Sequence, residues 1–341
     1  MHQSRTTDPT AISADQVQAD LDAGKHPIIQ FSKPVHDRAL LRQVNNLCLT
    51  FGNRLTVRFY DHLRIGFDAS VVIDLPDVQN LCVDCLYDRM RNEDSLHDLK
   101  SLRSLVIDVE HLNRPDFLFG FDLTGLESLI VCDVTGSRSL DLAPLAAARQ
   151  LTEVRIAGTT KNISAISSLP KLAVLALSSM PKSQSLTFVN AVPSLKELSL
   201  LLGGRASIDE IAHTGLKMLS ICRVQGLETL GSLRRFPALR SLKIEEQPRL
   251  ARVSLGSDSL REAFLLECKN LAHIDDLEAA RRLIHLRVYG TQVNLDELVD
   301  FAWPLTMKVL ALYTGRVRQD EVLRARLDQR GYTEFGDTTE V

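Results

Sequence analysis

Eleven times between residues 78 and 312 the chain repeats one apolar triplet, with members at a first position, three residues on and five residues on. The first member falls at Val78, Leu102, Leu126, Leu151, Leu172, Leu195, Leu216, Leu239, Leu260, Leu283 and Met307, so neighbouring triplets lie 21 to 25 residues apart. The second and third members are apolar every time, from Leu81 and Val83 through Leu242 and Ile244 to Leu310 and Leu312. The stretch Leu227–Ile244 shows the whole unit. Leu227, Leu230, Leu233 and Phe236 recur at helical spacing, and Leu239, Leu242 and Ile244 follow in a strand pattern. Pro76, Pro170, Pro193 and Pro237 each stand two residues before a first position, where proline ends a helical segment without removing a ladder hydrogen bond. A period of this length means stacked units, each too small to bury its apolar face alone.

The ends are less regular. Residues 1–12 are polar and read as a disordered tail. Ser13–Gln16 fits a capping box opening a helix that Gly24 would stop. Pro27–Phe31 reads as a strand, Asp37–Val44 as a second short helix, and Val44–Leu49 as the first candidate repeat strand. Leu55–Phe59 and Val71–Ile73 are rich in β-branched and aromatic residues and read as strands. Residues 13–75 are therefore expected as an N-terminal cap with degenerate repeats, because a stack of units exposes its core unless its ends are covered. Residues 76–316 form the solenoid. Residues 317–335 are expected as a C-terminal cap, with a helix over Gln319–Arg330, and 336–341 as an acidic tail.

The repeat resembles that of the leucine-rich repeat family over roughly residues 40–315. Ile163–Leu172 is similar to the shorter subclass found in phosphatase-regulating and many bacterial members. The resemblance implies an α/β horseshoe-shaped solenoid of about 12 repeats, with a parallel concave sheet and short helices or turns on the convex side. The family usually carries asparagine or cysteine eight residues after the first position. Cys268 fits, and Thr159, Gln247 and Thr291 are partial substitutes, whereas Met180, Gly203 and Val224 depart from the pattern and make the solenoid irregular.

A net charge of −3 gives no electrostatic reason for a general nucleic-acid or anionic-membrane binder. Met1–Ala11 lacks the apolar stretch of a signal peptide, and no apolar run is long enough to span a bilayer. Cys48, Cys82, Cys132, Cys222 and Cys268 are scattered among strand segments as reduced cysteines are. The expectation is a cytoplasmic monomer.

Chemistry is sparse. Cys82–Cys85 is a C-x-x-C without the second pair a zinc site wants, and it lies on a strand rather than at the helix N-terminus of a redox motif. The nine histidines form no H-E-x-x-H, and no G-x-S-x-G, Walker A or G-x-G-x-x-G motif occurs. Leu202–Arg205 falls in register as a turn, and Asp275–Asp276 beside His273 as a solvated turn. Thr339–Val341 matches x-T-x-V, the minimal ligand of PDZ domains, an undemanding pattern that chance supplies often. No catalytic residue, metal or cofactor is expected.

Geometry says more. If the triplet is core, the residues two, four and six after each first position face solvent on the concave side. The early repeats offer Asp84, Ser104, Asp108, Ser128, Cys132 and Asp133, which lean acidic. The middle repeats offer Glu153, Arg155, Ala176, Ser178 and Ser199. The late repeats offer Lys243, Glu245, Glu262, Phe264, Leu266, His285, Arg287, Tyr289 and Tyr313. Aromatic and arginine residues on an exposed sheet are what protein-binding hot spots use, so Lys243, Glu245, Phe264, Leu266, His285, Arg287, Tyr289 and Tyr313 are the candidate site. The other reading is that the C-terminal cap folds over them, or that the tyrosines ladder for stability.

The expected function is a non-catalytic scaffold binding one cognate protein. By analogy with stand-alone bacterial members of the family, immunity, antitoxin or effector roles follow. Two alternatives are a regulatory subunit directing a phosphatase or GTPase, and the substrate-recognition part of an effector enzyme. The second is disfavoured because the residues after the last repeat leave no room for a catalytic domain.

Overall fold

In a computed structural model the described residues are 2–33, 35–61, 66–84, 89–112, 114–133 and 139–335. They divide into two compact units, Met1–Leu172 and Ala173–Val341.

Among the described residues the first unit contributes seven parallel strands to the main sheet: β1 (Gln3–Thr7), β2 (His26–Phe31), β3 (Thr56–Tyr60), β4 (Asn80–Asp84), β5 (Ser104–Val109), β6 (Ser128–Asp133) and β7 (Glu153–Ala157). They pair in sequence order. The second unit carries β8 (Val174–Ser178), β9 (Glu197–Leu201), β10 (Met218–Cys222), β11 (Ser241–Glu245), β12 (Glu262–Leu266), β13 (His285–Tyr289) and β14 (Val309–Tyr313), again parallel and in order. From β4 onward each repeat supplies one strand. Every member of the apolar triplets is buried, and the most exposed of them, Met307, is only 6% exposed. From β4 onward the strands of both units are therefore leucine-rich repeats stacked in register, one strand each.

The connections are tighter than the helical spacing suggests. Glu93–Asp98, Ala143–Ala147, Ile163–Ser168 and Thr187–Ala191 are 3-10 turns, and of the Leu227–Phe236 stretch only Leu233–Arg235 is helical. Leu227, Leu230, Leu233 and Phe236 are nevertheless all within 1% of full burial. A spacing of three puts side chains on one face of a 3-10 turn or an extended connection as readily as on a helix.

Departure from each strand is also repetitive. The residue seven positions after the first one is left-handed in six successive repeats: Ser179 (φ 57°), Leu202 (56°), Arg223 (53°), Glu246 (52°), Glu267 (53°) and Gly290 (64°). This turns the chain out of the sheet while its N–H still bonds the next rung, as from Leu202 to the Cys222 carbonyl at 2.9 Å. One position on, the side chains of Gln247 and Cys268 point inward. Gln247 Nε2 donates to the Glu245 carbonyl at 2.8 Å, and Cys268 Sγ to that of Leu266 at 3.4 Å. Met180 and Val224 fill the equivalent place with buried apolar groups, and Thr159 faces outward.

Three expectations at the N-terminus are corrected. Gln3–Thr7 is not a disordered tail but strand β1, paired along its length with β2. Its polar side chains have partners: Ser4 Oγ donates to Asp20 at 2.7 Å, and Thr7 Oγ1 accepts from Gln30 at 2.7 Å. A polar strand is what a sheet end facing water calls for. Val44–Leu49 is not a strand, because helix α2 runs over Arg38–Phe51. Leu40, Leu41, Val44, Leu47, Cys48 and Phe51 are its buried face, an α-helical period that the short window read as alternation. Val71–Ile73 lies in a 3-10 turn, Ala69–Asp74. Asp74 joins that turn to α2 by accepting from Arg38 Nε at 2.6 Å and Arg42 Nε at 3.0 Å.

The other helices are α1 (Ala14–Asp22), α3 (Leu295–Asp300) and α4 (Val317–Gln329). After α4 the chain returns to the last strand, where Thr333 accepts from Leu310 N at 3.0 Å and donates to the Lys308 carbonyl at 3.1 Å. The outer edge of β14 is thereby paired. No helix among the described residues is long and apolar enough to cross a membrane.

Candidate protein-binding face

Parallel pairing in register puts side chains of one parity in columns on the open face of each sheet. In the second unit one column runs Ala176, Ser199, Ser220, Lys243, Phe264, Arg287, Ala311. The next runs Ser178, Leu201, Cys222, Glu245, Leu266, Tyr289, Tyr313. Seven of the eight candidate residues occupy these two columns, and Phe264, Leu266, Arg287, Tyr289 and Tyr313 sit on three adjacent rungs.

They are not equivalent. Tyr289 is exposed, at 38%, and its ring lies against Gly315, whose added Cβ would meet Tyr289 Cε2 at 3.5 Å. Phe264, Leu266 and Arg287 are half-buried. Lys243 is committed to Glu245, Nζ to Oε2 at 2.6 Å. Tyr313 is partly covered by the segment following α4. Burial and the Glu334 carboxylate, to which the phenol hydrogen-bonds, push its pKa up, and Glu334 is itself held by Arg324 at 2.5 Å. The cap thus reaches the last rung of the patch, while Tyr289 on the rung before stays open.

His285 does not face solvent. It is 7% exposed, as part of a third column in which Ser241, Glu262 and Val309 are buried as well. The Phe264 ring stands edge-on to it, centroids 4.8 Å apart. Burial first, and then the Arg287 charge, push its pKa down to about 4, so at neutral pH it is an uncharged floor beneath Phe264 and Arg287. Strict alternation fails at His285 because the Phe264 ring of the neighbouring rung lies against it.

The open face of the first unit has another character. Cys82, Val106 and Ile130 form a half-buried apolar strip in one column. Beside it Asp84 accepts from Arg58 through both oxygens, at 2.8 and 3.0 Å. Burial and the neighbouring Asp84 raise the pKa of Asp108, and burial pushes the Cys132 thiol up to about 11. Both effects oppose charge on this strip. Cys85, the second half of the C-x-x-C, the side chain of Asp133 and the Thr339–Val341 motif lie outside the described residues. Asp275 pairs with Arg252 at 3.4 Å and Asp276 accepts from Ser254 at 2.6 Å, so that acidic pair is engaged in its turn. Among the described residues no three His, Cys, Asp or Glu side chains group as metal ligands would.

One feature escapes a reading confined to alternate positions. The residue immediately after each first position forms its own row at the entrance to the strands, and in the second unit that row reads Ala173, Lys196, Lys217, Arg240, Arg261, Ile284, Lys308, five of the seven basic. The same repeat register that aligned the leucines would have exposed it.

No family model matches the chain, and no curated protein matches it significantly. Among solved structures it is similar to an internalin, InlF, of Listeria monocytogenes, at 15% identity over 77% of this chain and 80% of that one, with a TM-score of 0.46. It is also similar to a leucine-rich repeat protein of Leptospira interrogans, at 14% identity over 96% and 98%, with a TM-score of 0.42. The mouse RP105/MD-1 complex matches at 13% identity over 92% and 63%, with a TM-score of 0.44. What makes this a leucine-rich repeat fold is internal to the chain: eleven apolar triplets in register, each buried, each on its own rung of a parallel sheet.

Proposed function

We propose that the chain is a non-catalytic scaffold that binds one cognate protein on the open face of its second unit. Phe264, Leu266, Arg287 and Tyr289 would form the centre of the contact, with Lys243, Glu245 and Tyr313 around it and His285 as the floor. The observation that carries this reading is Arg287. Its side chain stands on the open face between Phe264 and Tyr313 rungs, pairs with no carboxylate of a described residue, and has its Nε without a hydrogen-bond partner. A half-buried arginine without an ion pair to a described residue, next to Phe264 in its column and beside the column of Tyr289 and Tyr313, is the composition of a protein-binding hot spot, and a partner carboxylate or carbonyl would complete it. Stacked repeats supply the broad rigid surface such contacts need. The same reading makes the protein a cytoplasmic monomer until its partner binds.

The test is a pull-down from native lysate with the wild-type chain and with Arg287→Ala/Tyr289→Ala, read by mass spectrometry and by thermal denaturation. One stoichiometric protein retained by the wild type and lost by the variant, at unchanged melting temperature, supports the proposal. If that protein is a phosphatase or GTPase, the role is a regulatory subunit. A partner retained equally by both chains removes this face from the account, and turnover of a substrate by the isolated chain removes the scaffold reading altogether.

A further inference from the structure

Lys196, Lys217, Arg240 and Arg261 stand on four consecutive rungs of the second unit. Backbone hydrogen bonds fix them there: Lys217 N donates to the Lys196 carbonyl, Arg240 N to that of Lys217 and Arg261 N to that of Arg240, each at 2.8 Å. Adjacent rungs are about 4.8 Å apart, so the four cations form an unbroken row, and Lys308 extends it two rungs on. Lys196, Lys217, Arg240 and Lys308 are exposed and Arg261 is half-exposed.

Like charges directly opposite one another on neighbouring strands are destabilising. Among the described residues no ion pair or hydrogen bond of the five side chains offsets that here. Elsewhere in the same unit cations are matched, as in Arg205 with Glu210 at 3.0 Å, Arg223 with Glu246 at 2.7 Å and Arg252 with Asp275 at 3.4 Å. The equivalent row of the first unit reads Gln79, Arg103, Glu127, Thr152, and there Arg103 meets Glu127 at 3.4 Å. The same backbone position therefore carries an ion pair in one unit and four consecutive cations without one in the other.

We infer that this row is a docking surface for an acidic segment of a partner protein. Charge complementarity selects an anion with several negative groups in line. A protein segment fits better than a nucleic acid. The row contains no aromatic ring on which bases could stack, and the residue after Lys196 is an exposed glutamate, Glu197, which a phosphate-dense backbone would have to pass. Carboxylates on flexible side chains can each find a cation and avoid that position. The row borders the aromatic face, so one partner could span both, but its cations are unmatched whether or not that face is occupied.

The experiment is fluorescence anisotropy of a labelled short poly-glutamate peptide titrated with the full chain at low and physiological salt. Two variants accompany it. One is Lys196→Gln/Lys217→Gln/Arg240→Gln/Arg261→Gln. The other has equal net charge but its changes elsewhere, Arg91→Gln/Arg149→Gln/Lys161→Gln/Lys182→Gln. Circular dichroism confirms that both fold, and single Lys217→Gln and Arg240→Gln chains replace the first if it does not. The expected result is salt-sensitive binding to the wild type, weakened about tenfold or more by the row variant and little changed by the control. Absence of binding at low salt, or equal weakening by both variants, overturns the proposal. Tighter binding of a single-stranded oligonucleotide of matched charge overturns the choice of partner.

Discussion

The ring of Phe264 meets that of His285 edge to face, at 4.8 Å and 72°, and both histidine nitrogens are buried without a hydrogen-bond partner. This pair makes the second unit sensitive to acid. An ordinary histidine titrates near 6.5, whereas His285 in the fold is held down to about 4. Above pH 6.5 the residue is neutral folded or unfolded and contributes no pH dependence. As pH falls from 6.5 towards 4, the unfolded chain takes up a proton that the folded chain refuses, and stability drops by up to about 3 kcal/mol. His285→Leu removes that term. The variant should match the wild type at neutral pH, because two unpaired buried nitrogens go with the ring, and exceed it by about 2–3 kcal/mol at pH 4.5. Urea denaturation at the two pH values measures both. Parallel losses in the two chains would contradict the assignment.

The left-handed exits from the strands set a second expectation. Gly203 follows one of them, with φ +73°, and an added Cβ would come within 2.5 Å of the Met180 carbonyl oxygen and 2.8 Å of its nitrogen. Both are backbone atoms of the neighbouring repeat and cannot rotate away. Gly24 has a similar φ of +69° but nothing within 4 Å. Gly24→Ala should cost about 1 kcal/mol from backbone conformation alone, and Gly203→Ala about 3 kcal/mol or more. Thermal denaturation of the two variants separates strain from collision, and equal costs would argue against this packing of adjacent turns.

Tyr313 reports on the C-terminal cap. Burial and the Glu334 carboxylate hold its phenol above the ordinary value. Replacing Glu334 with Gln removes the negative charge and should lower that pKa towards about 10, visible as the difference between the ultraviolet titrations of the two chains. A raised folded pKa also means that stability falls as pH climbs past the unfolded value near 10, and Glu334→Gln should flatten that fall. An unchanged titration would show that the segment after α4 does not lie on this rung.

The leucine register was legible in the sequence because one rule, burial of the triplet, applies at every rung and tolerates no exception: Val78 and Met307 obey it as Leu219 does. The two columns holding Lys243, Phe264, Arg287 and Leu266, Tyr289, Tyr313 followed from the same register by alternation. What alternation could not show was which open-face residues are covered. His285 and Glu262 have the right parity, but their exposure depends on the size of side chains on the next rung, a long-range relation. Strand β1 escaped for another reason. Its side chains are polar because it ends a sheet, so the apolar signal that reveals inner strands is missing. In Val44–Leu49 the apolar residues fit two periods over a short window, and only the buried face of α2 from Leu40 to Phe51 separates them.

The claim that the open face of the second unit receives a partner is tested most directly by hydroxyl-radical footprinting of the captured complex. Side chains of tyrosine, phenylalanine and methionine are oxidised in proportion to their exposure, and the two units carry suitable reporters. Tyr289 at 38% and Met218 at 41% stand on the open face of the second unit, whereas Phe119 at 60% lies in a turn of the first. The account predicts that partner binding protects Tyr289, and Phe264 beside it, while Phe119 reacts as in the free chain. Protection of Phe119 with Tyr289 still fully reactive would contradict it.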